Sequence, residues 1–273
     1  MTIALTAVVL IAIMCAVIYV FLIMPRVADR ADMDLLCTDY AHRGLHSARF
    51  PENSIPAFLS AARRGYGIEL DVRMTKDKQV VVFHDASTKR MCGVDALVSE
   101  MTLAQIKQLR LRGTLYAIPT LHEVLEAVDG AAPLLIEIKS EGTHTELCQK
   151  VAQMLDLYAG AFAIQSFDPR VLGYFKRYRP RFARGQLVTK IKTVPEKKHP
   201  RLVAFALSGM LTNVISRPDF ISVNGRHVRS LAFRICVLLF KCRGFVWTVR
   251  AHEQYEKMHR LGFFTIFEKF IPS

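Results

Sequence analysis

Hydrophobic positions follow two regimes along the chain. Met1 to Pro25 carries no charged side chain, and the first to appear is Arg26. The core of this run, Ile3 to Met24, is 22 residues. As a helix it spans about 33 Å, close to the thickness of a bilayer's hydrocarbon core. A cleavable signal peptide would need a basic start, an apolar stretch of about 7–15 residues and a small-x-small site. This run is longer, opens with no Lys or Arg, and ends in Leu22-Ile23-Met24-Pro25. The pattern predicts an uncleaved transmembrane anchor over 1–25 and a short polar linker over 26–37.

From residue 38 onward, short apolar runs alternate with amphipathic stretches. Strands are expected at Thr38–Ala41, Gly67–Val72, Val80–His84, Pro133–Ile138, Ala161–Gln165, Phe182–Leu187, Phe220–Val223, Phe245–Val249 and Phe263–Phe267. Helical spacing is expected at Ser54–Arg64, Thr120–Val128, Thr143–Tyr158, Pro169–Arg177, Leu202–Asn213, Val228–Cys242 and His252–Leu261. Residues 86–118 are irregular, with one short helix over Thr102–Leu111. Strand–helix alternation over such a length argues for a parallel sheet, as a closed barrel or an open doubly wound sheet. Nine strand candidates compete for the eight places of a barrel.

The net charge of +13 is unevenly spread. Residues 1–165 hold 16 Lys and Arg against 18 Asp and Glu, and residues 166–273 hold 21 against 6. The densest stretch, Lys176 to Arg201, has ten basic side chains and one acid, Glu196. With a membrane anchor in the same chain, this basic half suits anionic lipid headgroups. No motif that reads DNA or RNA is present, so nucleic acid is not an expected partner, and nothing points to a protein partner. Six cysteines show no paired or metal-knuckle spacing, as in a reduced compartment. Arg26 and Arg30 behind the span place the following domain in the cytoplasm by the positive-inside rule, as a single-pass protein of the cell membrane.

Ionisable residues gather at the predicted strand ends. His42 and Arg43 follow the first strand. Glu69 and Asp71, at i and i+2, share a face of the second. His84 and Asp85 end the third, and Glu137 and Lys139 end the fourth. In a parallel barrel such ends open on one rim. Three carboxylates without thiols form a hard oxygen site suited to Ca²⁺ or Mg²⁺. Arg43 and Lys139 are donors for an anionic oxygen. Of two histidines near neutrality, one can donate a proton while the other accepts one. Together these describe phosphodiester hydrolysis.

The runs His42-Arg43-Gly44, Pro51-Glu52-Asn53-Ser54, Glu69-Leu70-Asp71-Val72, Thr75-Lys76-Asp77 and Val81-Val82-Phe83-His84-Asp85 resemble the glycerophosphodiester phosphodiesterase family. So do Ile118-Pro119-Thr120-Leu121, Ile136-Glu137-Ile138-Lys139, Gln165-Ser166-Phe167 and Trp247-Thr248-Val249. The chain looks like a membrane-anchored, bacterial-type member. The resemblance implies a TIM (β/α)8 barrel over 38–273, with a small insertion at 86–118 after the third strand. It implies Glu69, Asp71 and Glu137 as ligands of a divalent cation, and His42 and His84 as the acid/base pair. Arg43 and Lys139 would lie on the phosphate, and Asn53 would donate to the substrate or order its loop. The implied substrate is a glycerophosphodiester, cleaved to glycerol 3-phosphate and an alcohol, or a lysolipid-type relative. The alternatives are a phospholipase that releases a cyclic phosphate on a similar barrel and a non-catalytic protein that binds anionic lipid. Two positions depart from the family pattern: Arg250 stands where Asn is usual, and the closing run reads Gly262-Phe263-Phe264-Thr265-Ile266-Phe267-Glu268. Neither falls on an expected catalytic residue.

Overall fold

The computed structural model describes residues 2–27, 33–139, 144–189 and 200–272. Nine strands form one sheet: β1 (Tyr40–Ala41), β2 (Gly67–Met74), β3 (Val80–Val82), β4 (Leu134–Ile138), β5 (Phe162–Ser166), β6 (Ala183–Val188), β7 (Phe220–Asn224), β8 (Arg243–Val249) and β9 (Phe264–Phe267). Eight are parallel and close into a barrel, because Tyr40 of β1 pairs with both Gly67 of β2 and Ile266 of β9. The barrel resolves the choice between closed and open sheets.

The strand left over is β3. It runs antiparallel on β2, pairing Val72 with Val82 and Met74 with Val80. β2 and β3 therefore form a hairpin whose second strand runs back along the first. The expected insertion follows β3 and carries α4 (Lys89–Cys92) and α5 (Leu103–Gln108). It has an apolar centre of its own, in which Met91, Val98, Ile106 and Leu111 pack on Val81 and Phe83.

The barrel's interior is layered. Near the amino-terminal ends of the strands, Tyr40, Leu135, Ala163, Ala183, Phe220, Phe245 and Ile266 fill one layer. Two glycines make room for its rings. A Cβ on Gly185 would come within 2.0 Å of the Phe220 ring, and one on Gly67 within 2.6 Å of Tyr40. Met33 and Leu36 of the short helix α2 (Met33–Leu36) close the layer from below. Part of the segment expected as a polar linker thus supplies core side chains; residues 28–32 of it lie outside the described residues.

The outer helices are α3 (Ile55–Ala62), α6 (Leu121–Val128), α7 (His144–Leu155), α8 (Pro169–Tyr178), α9 (Arg201–Ser208), α10 (Asn213–Ser216), α11 (Leu231–Leu238) and α12 (His252–Arg260). Their starts follow local chemistry. Thr120 and Glu123 form a reciprocal capping box on α6, and Asp168 caps α8. The single helix expected over Leu202–Asn213 is instead two, because α9 stops at Gly209 and Met210 takes a positive φ of 60°. Of the basic run Lys176–Arg201, residues 190–199 lie outside the described residues. One member, Arg184, is buried, with its Nε donating to the Ser216 carbonyl.

Among the described residues, one helix is long and apolar enough to cross a membrane: α1 (Thr2–Ile23), whose segment Ile3–Ile23 has a mean hydropathy of 2.9. Its carboxyl-terminal end, from Tyr19 to Ile23, packs on the barrel. A helix ends with carbonyls that lack intrahelical donors, and here the barrel supplies them. Asn213 Nδ2 donates to the Ile23 carbonyl at 2.7 Å, and Arg217 donates to those of Phe21 and Met24 at 2.9 and 2.8 Å. The Arg217 guanidinium also lies 4.7 Å from the Phe21 ring centre. Ile23 is wholly buried and joins the main core.

Candidate active site

The carboxyl-terminal rim holds a cavity of about 210 Å³, lined by His42, Arg43, Glu69, His84, Glu137 and Lys139. Phe167, Leu187 and Trp247 contribute apolar lining to the same cavity. Six of the residues singled out in the sequence therefore converge there. His84 arrives by a different route from the one expected. It follows the returning strand β3, not a parallel barrel strand, and Arg73 clamps it by donating to its carbonyl at 2.8 and 2.6 Å.

Glu69, Asp71 and Glu137 each offer an oxygen, and these oxygens lie within 4.8 Å of one another. All three side chains are buried. Burial, then the charges of Asp71 and Glu137, push the Glu69 carboxyl well above the usual range. Burial would raise Asp71 too, but Lys139, followed by His84 and Arg43, holds it well below. Like charges so placed are costly unless a cation neutralises them. The all-oxygen donor set and its crowding fit a divalent hard cation. Lys139 supplies part of the neutralisation here, with its ammonium 2.9 Å from Asp71 and against Glu137.

Two supporting residues hold these carboxylates. The Arg43 amide donates to Glu69 at 2.9 Å, with Arg43 at a φ of 56°. Such a conformation is unfavourable for a side chain with a Cβ and persists where the surroundings over-determine it. Asn53, at a φ of 55°, donates from Nδ2 to Asp71 at 2.8 Å and accepts the Asp71 amide at 3.3 Å. Its amide is thus committed to Asp71, and Asn53 is buried. Of the two roles expected for Asn53, donating to substrate or ordering its loop, these bonds favour the second.

Each histidine has a carboxylate on Nδ1. His84 meets Asp85 at 2.6 Å, and His42 meets Glu268 at 2.6 Å. A carboxylate there fixes the tautomer and turns Nε2 to the site. Asp85 is tied on to Arg90, which also binds Glu52 at 2.7 Å, and Glu52 binds Arg43 at 2.7 Å. A continuous ionic chain therefore joins Arg43 to His84. Within it, the two arginines overcome burial and bring Glu52 down to about 2. Burial holds His42 below the ordinary histidine range, against the pull of Glu268.

Glu268 is a site residue missed in the sequence. It belongs to the closing run that departs from the family pattern, and Arg250, the other departure, donates to its Oε1 at 2.6 Å. Arg250 lines the cavity, and Glu268, paired with it, reaches the cavity through His42. The available signal was position: Glu268 directly follows a strand, as do His42 and Lys139. Gln165, whose amide reaches Glu69 at 3.4 Å, was a second omission.

Residues 42–270 match the model of the glycerophosphoryl diester phosphodiesterase family. The chain belongs to this family. It is 32% identical over 235 residues to a glycerophosphodiester phosphodiesterase of Caldanaerobacter subterraneus subsp. tengcongensis, covering 81% of this chain and 89% of that one. Its fold is similar to that of a glycerophosphodiester phosphodiesterase from Thermotoga maritima, with a TM-score of 0.66, 27% identity, and coverage of 85% of this chain and 94% of the other. It is also similar to an Oleispira antarctica phosphodiesterase solved with the product sn-glycerol-3-phosphate, with a TM-score of 0.72, 24% identity, and coverage of 87% and 94%.

Proposed function

We propose that the chain hydrolyses glycerophosphodiesters to glycerol 3-phosphate and an alcohol, at a membrane and with a divalent cation. The observation that carries this is the meeting, on one rim, of three buried carboxylates, two cationic side chains and two carboxylate-paired histidines. The family's named activities and the product found in the Oleispira structure support the same reaction.

Glu69, Asp71 and Glu137 would hold Ca²⁺ or Mg²⁺, which when bound polarises a phosphoryl oxygen. Arg43 and Lys139 bind the remaining phosphate oxygens and oppose the charge that builds on them. His42, kept neutral by burial, is the base: its Nδ1–H is held by Glu268, and Nε2 takes the nucleophile's proton. His84, paired with anionic Asp85, gives a proton to the leaving alkoxide. The nucleophile is water or the substrate's neighbouring hydroxyl. Phosphorus NMR during turnover of glycerophosphocholine distinguishes them: a transient cyclic phosphate marks the hydroxyl route. An accumulating cyclic end product in place of glycerol 3-phosphate would overturn the hydrolase reading in favour of a lyase.

Glu268 provides a separate check. Its ionic hydrogen bond with His42 is worth about 1.5–3 kcal/mol, so Glu268→Ala is expected to lower kcat by roughly 10–100-fold. Glu268→Gln retains an acceptor for Nδ1–H and should lose less. Removing the negative charge also removes what raises His42's affinity for protons. The acidic limb of the pH–rate profile should therefore move to lower pH in Glu268→Gln; a shift to higher pH would contradict the role of His42 as base.

The reading also places α1 in the bilayer as an uncleaved single span, with the barrel on the cytoplasmic side. The last turn of α1 is bound into the barrel, which suits a retained anchor better than a removable leader. Six free cysteines suit a reducing compartment.

A further inference from the structure

Barrel helices ordinarily turn a polar face to water. Helix α12 does so, with Glu253, Gln254, Glu256 and Lys257 exposed. The helices that follow β6 and β7 do not. Helix α9 buries no side chain, and Leu202 and Phe205 are 83% and 67% exposed. Helix α11 buries Ala232, Phe233 and Cys236 and turns Leu231 and Leu238 outward, with Leu239 beyond its end also exposed. Arg234 is the one charged side chain within α11.

This apolar sector is continuous with the docking site of α1. The chain runs from α9 through Gly209–Thr212 into α10, and α1 packs on both α10 and α11. It is also cationic. Between Pro200 and His252 stand eight Lys and Arg side chains and one acid, Asp219. That acid is buried and lies against Arg184 and Arg26, so its charge does not offset the others at the surface. Arg243 pairs with Asp34, Arg250 with Glu268, and Arg217 binds the end of α1, which leaves Arg201, Arg226, Arg229, Arg234 and Lys241 for the surface. Exposed apolar side chains set among these cations match the boundary of an anionic bilayer, where the former enter the acyl region and the latter meet the headgroups.

We propose that the outer faces of α9 and α11 form a second membrane-contact surface for anionic phospholipid, next to the anchor. This rests on the reading of α1 as a transmembrane helix. The barrel then lies with one flank on the bilayer instead of standing clear of it on α1 alone.

The test uses the full chain in lipid nanodiscs with brominated acyl chains, which quench nearby indoles. Four variants are compared with the parent: Phe205→Trp, Leu238→Trp, Val9→Trp within α1, and Leu115→Trp in the insertion, which is exposed and away from this flank. The first three should lose most of their added emission and Leu115→Trp almost none. For Phe205→Trp and Leu238→Trp the loss should be larger in phosphatidylglycerol than in phosphatidylcholine, and salt should reduce it by screening. Quenching of Val9→Trp without quenching of Phe205→Trp and Leu238→Trp overturns this surface and leaves the anchor standing. Absence of quenching in all three overturns the anchor as well. Burial of both flank positions that depends on protein concentration and not on bromination would mean that a second copy covers the flank, and would also overturn the proposal.

Discussion

Excess EDTA stops turnover of glycerophosphocholine, and Ca²⁺ or Mg²⁺ restores it: this is the expected result if the three carboxylates hold the cation. Glu69→Gln should lose roughly 10³-fold or more in kcat, because a ligand is removed where transition-state charge is neutralised. The fold should survive. Glu69 is buried among two other carboxylates and pushed up by both burial and their charge, so its replacement by a neutral isostere relieves repulsion. Metal-free Glu69→Gln should therefore melt no lower than metal-free wild type, and a little higher where Glu69 is ionised. Full activity in EDTA would remove the cation from the account. A collapse in melting temperature would mean that Glu69 holds the barrel together instead of serving the chemistry.

The second large effect concerns the histidines. His42→Ala and His84→Ala should each lose about 10²–10⁴ in kcat, the usual worth of a positioned acid or base. They should separate on a substrate with a good leaving group. A nitrophenyl ester needs no proton from the enzyme, so it should rescue His84→Ala and leave His42→Ala slow. Rescue of His42→Ala alone would exchange the two roles. Wild-type rates in both variants on glycerophosphocholine would make the histidines structural and defeat the mechanism.

Most of the barrel is legible in the sequence because its strands are short, apolar and separated by turn residues, a pattern local enough to read. Direction is not local. Val80–Val82 reads as a strand, but nothing in its periodicity says that it turns back along β2. The site was legible as far as its residues end strands in runs that resemble the family. Glu268 escaped because its partner His42 is 226 residues away and only closure of the barrel joins them. Asn53 was visible as part of a motif, yet its bond to Asp71 depends on where its amide points, and that is set by the turn at positive φ. Met33 and Leu36 were hidden by composition, since two apolar residues among charges read as linker until the open end of a barrel is there to receive them.

The short strand β1 has a further consequence for the order in which the molecule becomes competent. It is the seam of the barrel, joined to β2 on one side and β9 on the other. His42 leaves it bound at both main chain and side chain to the far edge: its amide donates to the Phe267 carbonyl at 2.9 Å, and its ring meets Glu268. Contacts so distant in sequence are slow to form, since the intervening chain must first be ordered. The hairpin of β2 and β3 and the carboxylates of β2 and β4 rest on contacts closer in sequence than that of His42 with Glu268. The His42 ring, the base of the proposed mechanism, is oriented only once the last strand is in place. On the proposed mechanism, loosening this seam would release His42 from Glu268 and cost activity before the rest of the barrel opens.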